Sequence, residues 1–270
     1  MLLNKTYLSR VFVLCAVLST AACGGASKAL IQGDRAMLDA RYDDAIAHYQ
    51  SAVGKGADER SAEALYRIAG IKADFQGAPL EAEKVLRELV ARFAGTQAGY
   101  AGQVRLTELY RDVLHDSVRL VPAALRALEM KPDGERSPWL RLVLSEGYLA
   151  RGDYDQARIE AGKILEDYSD SELVPRAALL SARSFELRGS VVEAQEQFRE
   201  VERQFAGTRT AVEAKLGRAR MLETRDELDR AEAMYIECLG YGGNRAATAA
   251  RISALRERRE RRLGGAPRSN

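Results

Sequence analysis

Residue types that could perform catalysis or bind a metal ion are sparse in this sequence. Its two histidines, His48 and His115, lie far apart, and no pair of cysteines accompanies them as in a zinc site. The chain has no Gly-x-Ser-x-Gly turn, and its glycine-rich segment 240–243 lacks the Lys-Ser that completes a phosphate-binding loop. The sequence therefore predicts a protein without enzyme activity, metal ion or cofactor.

One cysteine, by contrast, occupies a position with a clear chemistry. Residues 1–22 have the pattern of a secretion signal, with Lys5 and Arg10 flanking the start of an apolar run shorter than the ~20 residues that span a bilayer. Small residues then lead to Cys23. This ending resembles the lipobox of bacterial lipoproteins, which implies that Cys23 carries lipid and that residues 23–26 form a short anchored linker.

Two neighbours of this cysteine qualify the resemblance. Thr20 stands where the lipobox usually has leucine, so cleavage after Ala22 without lipidation and an uncleaved anchor stay open as alternatives. Gly24, rather than aspartate, follows the cysteine, which by the same resemblance implies the outer membrane. We therefore expect a lipid-anchored outer-membrane protein that faces the periplasm.

The composition is that of a soluble globular protein, because 46% of the 270 residues are hydrophobic and 30% are charged. The formal net charge is only +2, and without residues 1–22 the chain is close to neutral. Bulk charge therefore gives no indication of nucleic acid binding. Arginine is nevertheless concentrated near the C-terminus, over residues 251–268.

The elements that must position any binding residue repeat along the chain. An alanine recurs with gaps of 37, 75, 37 and 37 residues, at Ala45, Ala82, Ala157, Ala194 and Ala231. A small residue stands twelve positions before each alanine, at Gly33, Gly70, Ser145, Ala182 and Ala219. Residues that mostly favour turns stand five positions before it, at Ala40, Gly77, Gly152, Gly189 and Asp226. Because antiparallel helices approach closely only where small side chains meet, this pattern predicts tightly packed helix pairs.

Two segments of this pattern, residues 40–52 and 148–157, resemble the tetratricopeptide repeat, although the period is 37 rather than the usual ~34 residues. The resemblance implies an all-α fold, a right-handed α-solenoid of about six helix pairs over residues 27–243. A capping helix over 244–263 and a disordered tail over 264–270 would follow. The arginines of that last helix offer an alternative interpretation, a basic contact for anionic lipid, a wall polymer or an acidic partner.

The third unit is irregular. Its alanine is missing near Arg119 or Leu120, and Pro122 is expected to begin a shortened helix, so that residues 113–121 form a loop or a distorted turn. Sequence drift and a partner-specific insertion are both open explanations. At the joints between units, the hydroxyls of Thr96, Ser171 and Thr208 are predicted to cap the helices that follow.

By the same resemblance, the first helix of each pair lines a concave surface that binds protein segments. The family's groove positions fall on Leu30, Asp34, Met37, Arg67, Ile71, Asp74, Trp139, Leu142, Glu146, Leu149, Arg176, Leu179, Arg183, Glu213, Leu216 and Arg220. Trp139 is interpreted either as a binding anchor or as a residue packed on the preceding helix. Arg176, Arg183 and Arg220 form either a basic strip for carboxylates or a solvated face.

These expectations leave two functional classes. The chain resembles envelope lipoproteins of the pilotin and barrel-assembly-helper type, which implies an adaptor whose partner is an outer-membrane barrel, a secretin or a motility component. The alternative is a wall-associated assembly factor that binds polymer through its basic C-terminus. An enzyme is the outlying possibility.

Overall fold

A computed structural model describes residues 25–54, 58–240 and 245–264. The predicted signal over 1–22, the lipidation site Cys23 and nearly all of the predicted tail lie outside the described residues. The first helix begins at Gly25, inside the segment 23–26 that was predicted to be a linker.

The described residues form thirteen α-helices and contain no β-strand. The helices are α1 (Gly25–Leu38), α2 (Tyr42–Ala52), α3 (Glu59–Asp74), α4 (Pro79–Phe93), α5 (Gln97–Asp112), α6 (Ser117–Met130), α7 (Ser137–Arg151), α8 (Tyr154–Asp167), α9 (Val174–Arg188), α10 (Val191–Gln204), α11 (Arg209–Thr224), α12 (Leu228–Leu239) and α13 (Arg245–Gly264). We call the odd-numbered helices α1 to α11 first helices and the even-numbered helices second helices.

Each helix packs on its neighbours in the chain, so the molecule is a stack of helix pairs rather than a bundle around one centre. First helices of successive units also pack on each other, as α1 does on α3, α3 on α5, α7 on α9 and α9 on α11. The prediction of an all-α solenoid of six helix pairs with a terminal helix is confirmed. That terminal helix, α13, packs on α12 and buries Ile252 and Leu255.

The recurring small residues occupy the positions where helices meet. All five recurring alanines are completely buried. At Gly33, an added Cβ would lie 2.3 Å from the ring of Tyr49, so only glycine fits without displacing that ring. The predicted close approach does not occur at Gly70, where an added Cβ would meet nothing within 4 Å.

The turns between paired helices recur at the predicted positions, and the structure also identifies the turn residue of the third unit. Positive φ angles occur at all five predicted turn positions, including Ala40 and Asp226, and also at His115, where φ is 50°. Histidine adopts this left-handed conformation more readily than most residues. With His115 as the turn, Leu120 is the counterpart of the recurring alanine, and it is buried.

The prediction for Pro122 was wrong, because α6 begins earlier than expected. Asp116 caps the helix by accepting a hydrogen bond of 2.9 Å from the backbone N–H of Arg119, and aspartate is a strong N-cap residue. Residues 117–121 are therefore helical, and Pro122 lies inside α6. Its missing N–H removes one backbone bond, that to the carbonyl of Val118.

Two of the three predicted hydroxyl caps are present. Thr96 accepts from the N–H of Gly99 at 2.9 Å, and Thr208 accepts from that of Ala211 at 3.3 Å. Ser171 does not cap α9, because its hydroxyl accepts from Leu173 in a turn before the helix begins.

Candidate protein-binding face

The sixteen predicted binding positions all lie on first helices, but several of them serve the core. Leu142, Leu179 and Ile71 are only 5%, 1% and 2% exposed, so the prediction of a partner-binding surface residue is corrected for all three, although Ile71 lines the pocket described below. Leu30, Leu149 and Leu216 are half-buried and pack against the hydrophobic clusters beneath them. The polar members of the set are half-buried, except for Asp74, which is exposed.

Those polar side chains form ion pairs that run from one first helix to the next. Asp34 of α1 pairs with Arg67 of α3, and Asp74 of α3 pairs with Arg105 of α5. The series continues along the stack with Arg111–Glu146 at 2.8 Å, Glu146–Arg176 at 3.4 Å, Arg176–Glu213 at 3.1 Å and Glu186–Arg220 at 2.8 Å. We call this series the first-helix ladder.

The ladder alters the interpretation of the arginines on this face. Arg176 bridges Glu146 and Glu213, and the guanidinium of Arg220 donates two 2.8 Å hydrogen bonds to Glu186. Burial lowers the pKa of Arg220, but the hydrogen bonds to Glu186 and the negative charge of that carboxylate together raise it above its ordinary value, so the group stays charged. The expected basic strip is therefore neutralised at these two positions. Of the three arginines of that strip, only Arg183, which is half-buried, forms no ion pair with another residue in the described ranges.

One pocket on this face gathers four of the predicted residues. It has a volume of about 90 Å³ and lies across α1, α3 and α5. The residues that line it are Met37, Tyr49, Tyr66, Arg67, Gly70, Ile71, Asp74, Phe75 and Arg105. We call it the first-helix pocket.

The pocket has an apolar base and a charged rim. Ile71 is buried at its base, and Tyr49 beside it donates a hydrogen bond of 2.7 Å from its hydroxyl to Asp34. Burial, then that hydrogen bond, raises the pKa of Tyr49 well above its ordinary value, so the hydroxyl stays protonated. Arg67 lies over the same ring, 5.7 Å from its centroid. Of the side chains that line the pocket, those of Tyr49, Arg67, Asp74 and Arg105 are paired within the protein, whereas the hydroxyl of Tyr66 forms no hydrogen bond with the described residues.

Phe75 is the residue that the sequence analysis missed. Its ring is 53% exposed and stacks on Tyr42, with 4.9 Å between ring centroids. Exposed aromatic rings beside a pocket are typical of protein interfaces. The available signal was an aromatic residue two positions before the turn at Gly77, but no other turn in the chain carries one there.

Trp139 has a placement that favours packing over partner binding. It is half-buried against the cluster formed by α3 to α7. Arg111 of the preceding first helix and Arg136 lie over its ring, at 6.0 and 5.6 Å from the centroid. The contacts tie the indole to its own protein.

The arginines of α13 are paired with acidic residues of the last repeat. Arg251 contacts Glu223 at 2.7 Å, and Arg259 contacts Asp229 and Glu232 at 2.7 and 3.0 Å. The remaining pairs are Arg256–Glu232, Arg258–Asp226 and Arg262–Asp226. These ion pairs neutralise the arginines that would have to bind an anionic polymer, so they favour the capping interpretation of α13.

The residues that the structure covers give no support for a metal site, a membrane-spanning helix or a reactive thiol. They include no group of three or more histidine, cysteine or acidic side chains arranged to hold a metal ion. None of their helices is both long and apolar enough to cross a bilayer. Cys238 is buried, and burial raises the pKa of its thiol to about 11.

Comparison with known proteins supports the fold. No protein-family model matches the sequence, and no curated protein is significantly similar to it. Among solved structures, PilW, a type IV pilus biogenesis factor, aligns with a TM-score of 0.53 at 13% identity, over 84% of this chain and 100% of that one. A tetratricopeptide repeat protein from Parabacteroides merdae aligns with 0.52 at 15%, over 86% and 98%. MamA aligns with 0.51 at 19%, over 66% and 90%.

Proposed function

We propose that this protein is a non-catalytic scaffold that binds a segment of a partner protein across the first helices of units one to three. The observation that carries the proposal is the first-helix pocket, in which Met37 and the exposed Phe75 stand beside an opening whose charged groups are already paired. Methionine, aromatic residues and arginine are enriched at protein interfaces. A cavity of about 90 Å³ suits one apolar side chain rather than a cofactor.

The first-helix ladder supports a docking role for the same face. Its ion pairs are partly exposed, so each contributes only ~0–1 kcal/mol to stability. They hold neighbouring first helices in register, which keeps the walls of the pocket in place before a partner arrives. A preorganised site loses less conformational entropy on binding.

We further propose that the scaffold is anchored in the outer membrane by lipid on Cys23, faces the periplasm, and assists assembly of an outer-membrane, secretion or motility complex. Support for this part comes from the pattern of residues 1–23. The partner would be an envelope protein, such as an outer-membrane barrel, a secretin or a motility component. The likeness to PilW is a likeness of fold and is compatible with such a role.

Gly70 offers a direct test of the pocket. Because an added Cβ there would meet nothing within 4 Å, a side chain can start at this position, and Gly70→Leu should block the opening. Gly162→Leu, on α8, is the matched control, since that helical glycine is equally unobstructed and lies outside the pocket. A photo-crosslinking residue at Phe75, used in the native envelope, should capture a partner protein in the control background and lose it with Gly70→Leu. Equal capture in both would refute the pocket.

The anchor is tested separately. Cys23→Ser should remove metabolic labelling with palmitate and release the protein from the outer-membrane fraction. If the serine variant stayed in that fraction with unchanged labelling, the lipid anchor would be wrong, while the pocket would be unaffected.

A further inference from the structure

A second, larger groove lies on the other side of the stack. It has a volume of about 730 Å³ and is formed where α4 and α6 both pack on α5. The residues that line it are Arg87, Glu88, Val90, Ala91, Gln103, Leu106, Tyr110, Val118, Arg119, Pro122, Ala123 and Arg126. We call it the second-helix groove.

Helix α5 separates this groove from the proposed binding face. Gln103, Leu106 and Tyr110 line the groove, whereas Arg105 reaches the first-helix pocket. Residues two apart on an α-helix project in nearly opposite directions, about 200° apart. The second-helix groove is therefore a separate surface, and a ligand bound in it would not occupy the first-helix pocket.

The floor of the groove is prepared for apolar contact. Gln103 is 2% exposed, and its side-chain amide donates to the carbonyl of Ala123 at 2.8 Å. The hydroxyl of Tyr110 donates to Glu83 at 2.9 Å. Since these two donors are satisfied within the protein, covering them with an apolar ligand leaves neither donor without a partner. Leu106 and Pro122 line the groove beside them, and Val118 at its edge is 76% exposed.

The edge of the groove is basic. Arg87 lies 3.7 Å from Glu83, and Arg119 pairs with both Glu83 and Asp116. Glu88, the one acidic residue among those that line the groove, is paired with Arg92.

Arg126 stands apart from these pairs. It is exposed and forms no ion pair with any residue in the described ranges. The positive charge here is thus only partly balanced, and an acidic ligand would complete it.

A corresponding groove between α10 and α12 shows what distinguishes this one. The repeat aligns Arg87 with Arg199 and Arg119 with Arg230, and both counterparts line the other groove. In that groove, however, Glu237 replaces Arg126, and the volume of the groove is only about 340 Å³.

Two further replacements close and polarise that groove. Arg218 replaces Leu106 and pairs with Glu202 at 2.9 Å, and Met234 replaces the smaller Ala123. The larger volume and the apolar lining therefore distinguish the second-helix groove from its counterpart, as does the arginine at position 126 in place of the acidic Glu237.

We infer that the second-helix groove binds an amphipathic helical segment of another protein whose apolar face is flanked by acidic residues. The α6 side of the groove extends from Val118 to Arg126, which corresponds to about 12 Å, or roughly two helical turns. An apolar stripe at positions i, i+3, i+4 and i+7 covers that length. Residues 1–24 and 265–270 of this chain are poor candidates for the segment that binds the groove, since they contain basic residues and no acidic ones.

The inference can be tested with a designed probe and the full-length chain. The probe is a fluorescent amphipathic peptide of about 15 residues, with leucines at the stripe positions and glutamates elsewhere; its counterpart carries lysines instead of glutamates. Fluorescence anisotropy should show the acidic peptide binding about tenfold more tightly than the basic one at low salt, with the difference shrinking in about 0.5 M NaCl.

Variants then locate the site. Arg126→Glu, which introduces the residue found in the corresponding groove, should weaken binding of the acidic peptide about tenfold, and Val118→Ser should weaken it as well. Both side chains are exposed, so circular dichroism should show an unchanged fold. Arg230→Glu, in the other groove, and Gly70→Leu should leave binding unchanged.

Three results would overturn the inference. These are equal binding of the two peptides, no effect of Arg126→Glu and Val118→Ser, and loss of binding with Gly70→Leu alone, which would place the peptide on the first-helix face. Concentration-dependent self-association that Val118→Ser abolishes would instead identify a second copy of this chain as the occupant.

Discussion

The contact between Gly33 and Tyr49 predicts an unusual cost for the smallest possible substitution. Gly33 is the ninth residue of the fourteen in α1, and Gly162 is the ninth of the fourteen in α8. Replacing a helical glycine by alanine normally stabilises a helix by ~1 kcal/mol. At Gly162 that gain should appear in full, because an added Cβ would meet nothing within 4 Å.

At Gly33 the same methyl group meets a ring that cannot move freely. The added Cβ would lie 2.3 Å from a carbon of the Tyr49 ring, which is about 1 Å or more inside normal contact. Tyr49 is 1% exposed, and its hydroxyl is held by Asp34 at 2.7 Å. Overpacking of this kind costs ~1–3 kcal/mol. Gly33→Ala should therefore be ~1–3 kcal/mol less stable than Gly162→Ala.

The assay is urea unfolding followed by circular dichroism, with both variants and the parent measured side by side. Because a repeat stack can unfold in steps, hydrogen exchange in α1 and α2 should accompany it. The loss of stability at Gly33→Ala should be concentrated in those two helices. If Gly33→Ala were as stable as Gly162→Ala, the close packing of the first helix pair would be wrong.

Three further predictions follow from other parts of the stack. Glu83→Gln should lower the free energy of unfolding by ~1–3 kcal/mol, since this buried carboxylate accepts from Tyr110 and Arg119, while Glu88→Gln on the exposed surface should change it little; equal urea midpoints would contradict this. Cys238 should react slowly with iodoacetamide at pH 8, because its folded pKa of about 11 keeps the thiol protonated. Since that pKa is raised above the unfolded value, the associated stability is full below about pH 8.5 and is lost as pH rises toward 11; rapid alkylation of folded protein would disprove the assignment. Raising NaCl from about 0.05 M to 1 M should speed hydrogen exchange in α13 but not in α5, because the partly exposed arginine pairs of α13 are screened.

Much of the architecture could be predicted because single residues at fixed spacing mark each repeat. The buried alanines and the turn at Gly152 each report a local steric requirement, a close crossing or a positive φ, that few residue types meet. The first-helix ladder could not be predicted in the same way. Asp34 and Arg67 lie 33 residues apart, and many acid–base pairs in this sequence have similar spacings. Which of them meet depends on the angle between stacked units, which the sequence pattern does not specify.

Phe75 beside the pocket, and the groove as a whole, were missed for a related reason. Phe75 and Arg126 differ from their counterparts in other repeats, and a search for what the repeats share passes over such residues. Differences between equivalent positions carry functional information only after the geometry shows which positions are equivalent and which face a cavity. Arg126 became informative once Glu237 was identified as its counterpart.

The third unit accommodates an extra residue in the way its first helix ends. In units one, four, five and six, the N–H that follows the positive-φ residue bonds to the carbonyl five positions earlier, as Asp153 does with Tyr148. In units two and three it bonds six positions earlier, from Ala78 to Lys72 and from Asp116 to Tyr110.

These two turns therefore contain one more residue than the others, and an extra N–H, that of Leu114 in the third unit, bonds to the end of the helix. An extra residue inside α5 would have rotated every later side chain by about 100° and exposed its buried face. Placed in the turn, it leaves the helical phase intact, so Leu120, Ala124 and Ala127 stay buried. The insertion is thus absorbed where the chain tolerates it. The distinctive surface of this unit comes from the residues that α6 places along the second-helix groove.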